Sequence, residues 1–350
     1  MVVLVLLHRI STLFAHCTLG SPTIELWEHA MIDRNIGQIV PIADRAIGFW
    51  SDDIKRDNRE FLESLSPDYF ISIAKLALAM ANTDEEHFAA SHLRSIRDQA
   101  AEMLFALLFA SIQSPRGVAL WMLSYINKDI DYLIQRIRDY QSVRTTHGTR
   151  KLSWLDVVEM TTSTSDPSPA ELAAYRVATA SFLKKLASEC TSKLTKRQYA
   201  SFKHGLRVRH GGGGEITITP HSDTSKQYTL KGSKHGSSFL EPRLIKDTKF
   251  HFTLQHHHVY WSLDATVAQI TAITILIKNV INLLLKVNGH CGVVYYQALA
   301  ESDYERCWQS PVGLQNVSLV RCEFSKEQIE SLTQEEMIAK LESSNANNPK

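Results

Sequence analysis

Over most of the first 200 residues, apolar side chains recur every three or four positions; beyond them, for a stretch, they alternate. The first spacing predicts amphipathic helices and the second half-buried strands. Ser66-Pro67-Asp68 predicts a helix over 67–81, with proline in the first turn, where its missing N–H costs nothing. Asn82 to Glu86 opens the next helix, its acids near the positive end of the helix dipole. From Glu86 to Gln113 one broad stripe carries Leu93, Ile96, Ala100, Met103, Leu104, Leu107 and Leu108, and Ser114-Pro115 ends it. A helix over about 115–141 follows, with Leu120, Leu123, Ile126, Ile130, Leu133, Ile134 and Ile137 inward. Lys128, Asp129, Asp131, Arg136, Arg138 and Asp139 form its solvated face, and a tight turn at the proline predicts an antiparallel pair. A polar loop over 145–150, a short helix over 152–162, a second loop over 163–169 and a helix from Pro169 to Cys190 complete this part.

After Gly211 to Gly214 the period changes. Glu215 to Thr219, Gln227 to Leu230 and Lys249 to Trp261 alternate and predict an antiparallel sheet of three strands. Ala265 to Val287 is long and apolar enough to span a bilayer, but Gln269, Lys278, Asn279 and Asn282 interrupt it. A buried helix and no stable membrane insertion are expected. Val293–Tyr296 and Val317–Cys322 are strand-like, and a short helix starts at Ser325.

The fold class predicted is α+β, mainly α: a helical bundle with a small antiparallel sheet inserted before a buried C-terminal helix. Its divisions are an N-terminal leader or over-extended start (1–30, with Met31 as the other initiator), the bundle (31–210), the β segment (211–262), a C-terminal part packing on the bundle (263–342) and a disordered tail (343–350).

Composition narrows the function classes only a little. A net charge of +1 means that no global field drives the chain onto a polyanion, so any attraction must be local. The five cysteines are scattered and form no CxxC pair, which argues against a zinc ribbon or disulfide framework and predicts a reducing cytoplasm.

One local field stands out. Lys193 to Gly214 holds Lys193, Lys196, Arg197, Lys203, Arg207, Arg209, His204 and His210, and no acid. On a helix, 193, 196, 197, 203, 204 and 207 share a side, while Leu194, Phe202 and Leu206 lie away from it. A cationic front with an apolar back suits a phosphate-bearing partner.

Arg197 and His204 stand seven apart in this segment. The motif resembles that of the HEPN superfamily (higher eukaryotes and prokaryotes nucleotide-binding), helical bundles that include metal-independent ribonucleases marked by an Arg and a His on one helix. The resemblance implies His204 as base or acid, Arg197 as phosphate clamp, a homodimer with a shared cleft, and no cofactor. Such chemistry needs a group that titrates near neutrality and a permanent cation. Gln198 follows the arginine where the family usually has Asn, Asp or His, and Arg9 and His16 repeat the spacing.

The glycines after the basic segment follow a helix and precede a strand, the reverse of a phosphate-binding loop, and read as a helix stop. Gln255-His256-His257-His258 ends a strand. Alternation places His256 and His258 on one face, a weak metal pair, with Asp264 or His290 as third ligand. The other reading makes them half-buried residues facing the basic helix. The six tryptophans are dispersed and read as core.

Three functions remain open: recognition of nucleic acid or a nucleotide by the basic helix, with metal-independent RNA cleavage as its extension; a structural or protein-interaction role; and a metal enzyme centred on the histidines.

Overall fold

The computed structural model describes residues 38–49, 53–81, 83–162, 169–203, 208–210, 215–218, 228–231, 235–244, 252–292, 296–309, 316–324, 335–336 and 338–339. The expected leader, the loop over 163–168, the glycine run, His204, Arg207 and the C-terminal tail lie outside the described residues.

A hairpin of β1 (Gln38–Ile42) and β2 (Arg45–Phe49) comes first. Its turn holds Ala43 at φ +55°, a conformation L-residues seldom adopt. The buried Gln113 clamps that residue, accepting from Ala43 N at 2.8 Å and donating to Ala43 O at 3.1 Å. Helices α1 (Ile54–Ser64) and α2 (Asp68–Ala79) lead into the central helix α3 (Glu86–Gln113). Helix α3 is buried nearly all round, as a core helix must be.

The stretch expected as one helix over 115–141 is two, α4 (Val118–Ser124) and α5 (Asn127–Arg138). The break has a local cause. Asp129 is buried, and its Oδ2 accepts from Ile126 N at 2.8 Å and from Arg45 Nη2 at 2.5 Å, starting a new helix there. Asp129 therefore does not belong to a solvated face. Nor do the helices around Pro115 form an antiparallel pair: the chain bends by 114°. The loop over 145–150 is a hairpin of β3 (Ser142–Thr145) and β4 (Gly148–Lys151), turned by Gly148 at φ +94°. Helix α6 (Trp154–Thr161) is capped by Ser153, and α7 (Pro169–Thr191) and α8 (Lys193–Lys203) follow.

Among the described residues the main sheet has four strands in the order β10-β9-β8-β5, all antiparallel: β5 (Val208–His210), β8 (Gly236–Leu244), β9 (Phe252–Tyr260) and β10 (Asn316–Phe324). The expected strand at 215–219 lies elsewhere, with β6 (Glu215–Ile218) and β7 (Tyr228–Lys231) forming their own ribbon. The sheet thus draws edge strands from both sides of the expected β segment. Local alternation cannot report which distant strand closes a sheet.

Helix α9 (Leu263–Val287) packs along α3 as the second core helix. It has the length and composition of a membrane span, but 61% of its most apolar window is buried in the protein. Its polar residues have protein partners. Gln269 accepts from Arg97 Nε at 2.7 Å and donates to Cys307 O at 2.8 Å. Asn279 exchanges two bonds with the Gln297 backbone, and Lys278 reaches Asp68 at 2.6 Å. A short α10 (Glu301–Arg306) closes the described bundle, and Tyr296 is not in a strand.

The fold is mainly helical with small antiparallel sheets, the class the sequence predicts. A separate small core, of Ala90, Val208, Phe239, Val259 and Trp261, joins sheet to bundle, with Leu194 and Phe202 of α8 packed against it.

Candidate functional site: the cleft and the junction on either side of the basic helix

Helix α8 stands between the bundle and the sheet. Leu194 and Phe202, partly buried, pack at its back against the small core, as its periodicity predicts. The cationic front is not one surface. Lys196 and Arg197 are neighbours in sequence, so about 100° of helical rotation separates them. They meet different elements.

Arg197 turns to the sheet. Its Nη1 pairs with Glu241 Oε1 of β8, and the other oxygen of Glu241 stands 3.0 Å from His257 Nε2 of β9. Glu241 is 9% exposed and His257 7%, and Phe239 stacks on the imidazole with centroids 5.2 Å apart. Next to this pair Gln198 is fully buried and donates to Ser237 Oγ at 2.9 Å. The two residues that carry the resemblance's motif start thus close a junction between helix and sheet.

Lys196 turns the other way. Its Nζ lies 2.7 Å from Asp131 Oδ2 of α5, both side chains about two-fifths exposed. Around this pair opens a cleft of about 350 Å³. Lys196, Tyr199 and Lys203 of α8 form one wall, Asp98, Glu102 and Phe105 of α3 a second, and Ile130, Asp131 and Ile134 of α5 a third. Lys203 is exposed. Tyr199 Oη donates to Glu102 Oε2 at 3.2 Å, and Tyr125 Oη donates to Glu102 Oε1 at 3.5 Å. Burial first, then the Glu102 charge, pushes both phenols up, Tyr125 to about 12 and Tyr199 further, so both remain hydrogen-bond donors. Cys190 borders the same cleft, and burial pushes its thiol up to about 11, so it is un-ionised at neutral pH.

Behind the cleft lies a buried charge network. Arg97, fully buried, pairs with Glu189 and donates to Asp98 Oδ1 at 2.7 Å and to Gln269. Such a pair survives burial only when its donors and acceptors are nearly all matched.

The remaining sequence candidates are dispersed. Lys193 is exposed at the start of α8. The helix is described as far as Lys203, and Arg209 and His210 belong to β5 and not to the helix face. His210 packs between Phe88 and Phe202, and burial and the charge of His87 lower its pKa. On the opposite sheet face Arg209 and His258 register against the same residue, Ser238, and burial, Arg209 and His257 lower the pKa of His258. His256 registers between Leu240 and Leu319, and its side chain lies outside the described set. Among the described residues no three His, Cys, Asp or Glu side chains gather as a metal set. It is His257 that reaches Glu241, the partner of Arg197 on the basic helix. That His257 lies on the face opposite His258 was legible in the alternation; the partner Glu241 was not, because nothing local marks which strand stands opposite α8. Asp98 and Glu102 were also missed, since within α3 they look like surface positions of a buried stripe. Glu86, read as a dipole acid, lies 2.6 Å from His235 and ties α3 to the sheet.

No family model, no curated protein and no solved structure matches this chain.

Proposed function

We propose that the protein recognises a small phosphorylated ligand of nucleotide size in the cleft between α8, α5 and α3, with Lys196 and Lys203 as its phosphate contacts. The observation that carries this reading is the cleft itself: about 350 Å³, walled on one side by lysines of an acid-free helix. That volume falls in the range of small-molecule sites. Phe105, Ile130 and Ile134 supply an apolar wall for the ligand body.

The Lys196–Asp131 pair does not stand in the way. A half-exposed ion pair contributes about 0–1 kcal/mol, so an incoming phosphate competes with Asp131 for the ammonium. Arg197 has no part in this reading, because it faces the sheet and Glu241. The reading is therefore recognition; the RNA cleavage and the dimer that the resemblance implies do not enter it.

Calorimetric titration with adenosine monophosphate (AMP) tests it. Binding is expected to weaken as salt rises, since the contacts are charge pairs near the surface. Lys203→Glu and Lys196→Glu are each expected to cost about tenfold or more in affinity, the scale of a charge-assisted hydrogen bond. Absence of binding, or binding indifferent to salt and to both substitutions, rejects the proposal.

A further inference from the structure

From Arg136 to Lys151 the chain holds five cations and a single acid, Asp139. Arg138 takes up that acid, its Nε 2.9 Å from Asp139 Oδ1. Among the described residues Arg136, Arg150 and Lys151 have no carboxylate partner; their neighbours are neutral. The hairpin β3–β4 gathers this charge. Val143 and Thr145 of β3 are buried, so Ser142 and Arg144 take its outer face. Lys151 stands directly across from Ser142, and every residue of β4 is exposed. Arg136, in the last turn of α5, donates to Ser142 O at 2.9 Å, which sets it beside the same row.

Two aromatic rings lie among these cations. The guanidinium of Arg136 is 5.4 Å from the centre of the Tyr132 ring, and Lys151 Nζ is 5.7 Å from that of Tyr140. Tyr140 is 57% exposed and has φ +51°. Its N–H donates to Ile137 O at 3.2 Å and that of Gln141 to Arg136 O at 2.7 Å. This pattern closes a helix on a left-handed residue, usually glycine. A tyrosine in that place is strained and still leaves much of its ring in water, so neither backbone nor core accounts for it. An exposed ring held at a fixed turn, beside cations that no acid neutralises, suits a base stacked on the ring with its phosphates on the cations. An acidic peptide would use the charges and leave the ring unexplained. In a duplex the base faces are already stacked, so the strand is single.

We infer that the hairpin β3–β4 and the end of α5 form a surface for single-stranded nucleic acid, with Tyr140 as stacking platform and Arg136 and Lys151 as phosphate contacts. None of these three residues borders the cleft at Lys196 and Lys203, so the surface stands or falls separately from the function proposed there.

Fluorescence anisotropy on the full chain tests it, with a labelled oligouridylate about twelve nucleotides long, within the usual span of such sites. Tyr140→Gly is expected to weaken binding about tenfold, and Tyr140→Phe to retain it. Glycine adopts this backbone freely, so the unfolding midpoint of Tyr140→Gly is expected not to fall, which separates lost stacking from lost structure. Lys151→Ala is expected to flatten the plot of log affinity against log salt by about 0.7. An abasic strand of the same length is expected to bind about tenfold more weakly than the oligouridylate. Equal affinity for the two strands, or Tyr140→Gly binding like the unaltered chain, overturns the inference. Polyglutamate binding as tightly as the oligouridylate makes the partner an acidic peptide and overturns it too. So does binding that is lost in Lys196→Glu or Lys203→Glu but indifferent to the hairpin substitutions, which places the strand on α8.

Discussion

The two sides of helix α8 carry similar residues and meet opposite fates. Toward the sheet, Arg197 and Gln198 are locked to Glu241 and Ser237 over a small apolar core. Toward α5, Lys196 and Lys203 border an open cleft, and only a half-exposed bond to Asp131 restrains the first. The sequence puts cations on both sides. What differs is the element opposite: a sheet strand with a buried acid on one side, helices with a cleft between them on the other. Both cations are paired and about equally exposed; Arg197 meets a carboxylate that is itself buried, and Lys196 one that is itself half-exposed.

That contrast can be broken first on the sheet side. Phe239 is buried, stacked on His257, and central to the junction core. Phe239→Ala is expected to cost about 3–5 kcal/mol in urea-induced unfolding. A loss within the noise of a surface substitution would mean that the sheet does not lean on this core.

Acid is expected to have a smaller effect, and again on the sheet. The fold holds His210 and His258 neutral, the first mainly by burial and His87, the second by burial, Arg209 and His257. Their folded pKa values lie below the unfolded value near 6.5, so the unfolded chain takes up protons first as pH falls. Their contribution is complete above about pH 6.5 and is lost as pH drops through the window beneath it. Unfolding midpoints at pH 7.5 and 5.5 check this, and a higher midpoint at the lower pH would contradict it.

The smallest effect is expected in the cleft. Lys196→Ala breaks only its half-exposed pair with Asp131 and should change stability by about 1 kcal/mol or less. A larger loss would give the half-exposed carboxylate of Asp131 the weight expected of the buried Glu241 and erase the contrast between the two sides of the helix.

Much of the fold was readable locally. The stripe from Leu93 to Leu108 does form a core helix, and the polar interruptions of Ala265 to Val287 do mark protein-facing positions. The apolar back of the basic segment, Leu194 and Phe202, packs as its spacing implies. Two local signals were present and misread: Asp129, an acid three residues into a helix, marks the start of α5, and Gly148 marks a hairpin. The site was less legible. Its carboxylates come from α3 and α5, nearly 100 and more than 60 residues before Lys196, and no short motif joins them. Arg197 was visible as a cation, but its engagement by Glu241 depends on a strand over forty residues away.

By itself, then, the sequence determined which residues are apolar on which face, where helical and extended periods run, and where positive charge concentrates. These follow from the chain's own geometry, 3.6 and 2 residues per repeat. Tertiary structure alone decided which charges are spent and which are free, because that depends on whether an acid from a distant element arrives within hydrogen-bonding reach. It also decided that a cleft opens between α3, α5 and α8, since empty space between helices is a property of their packing and of no residue singly.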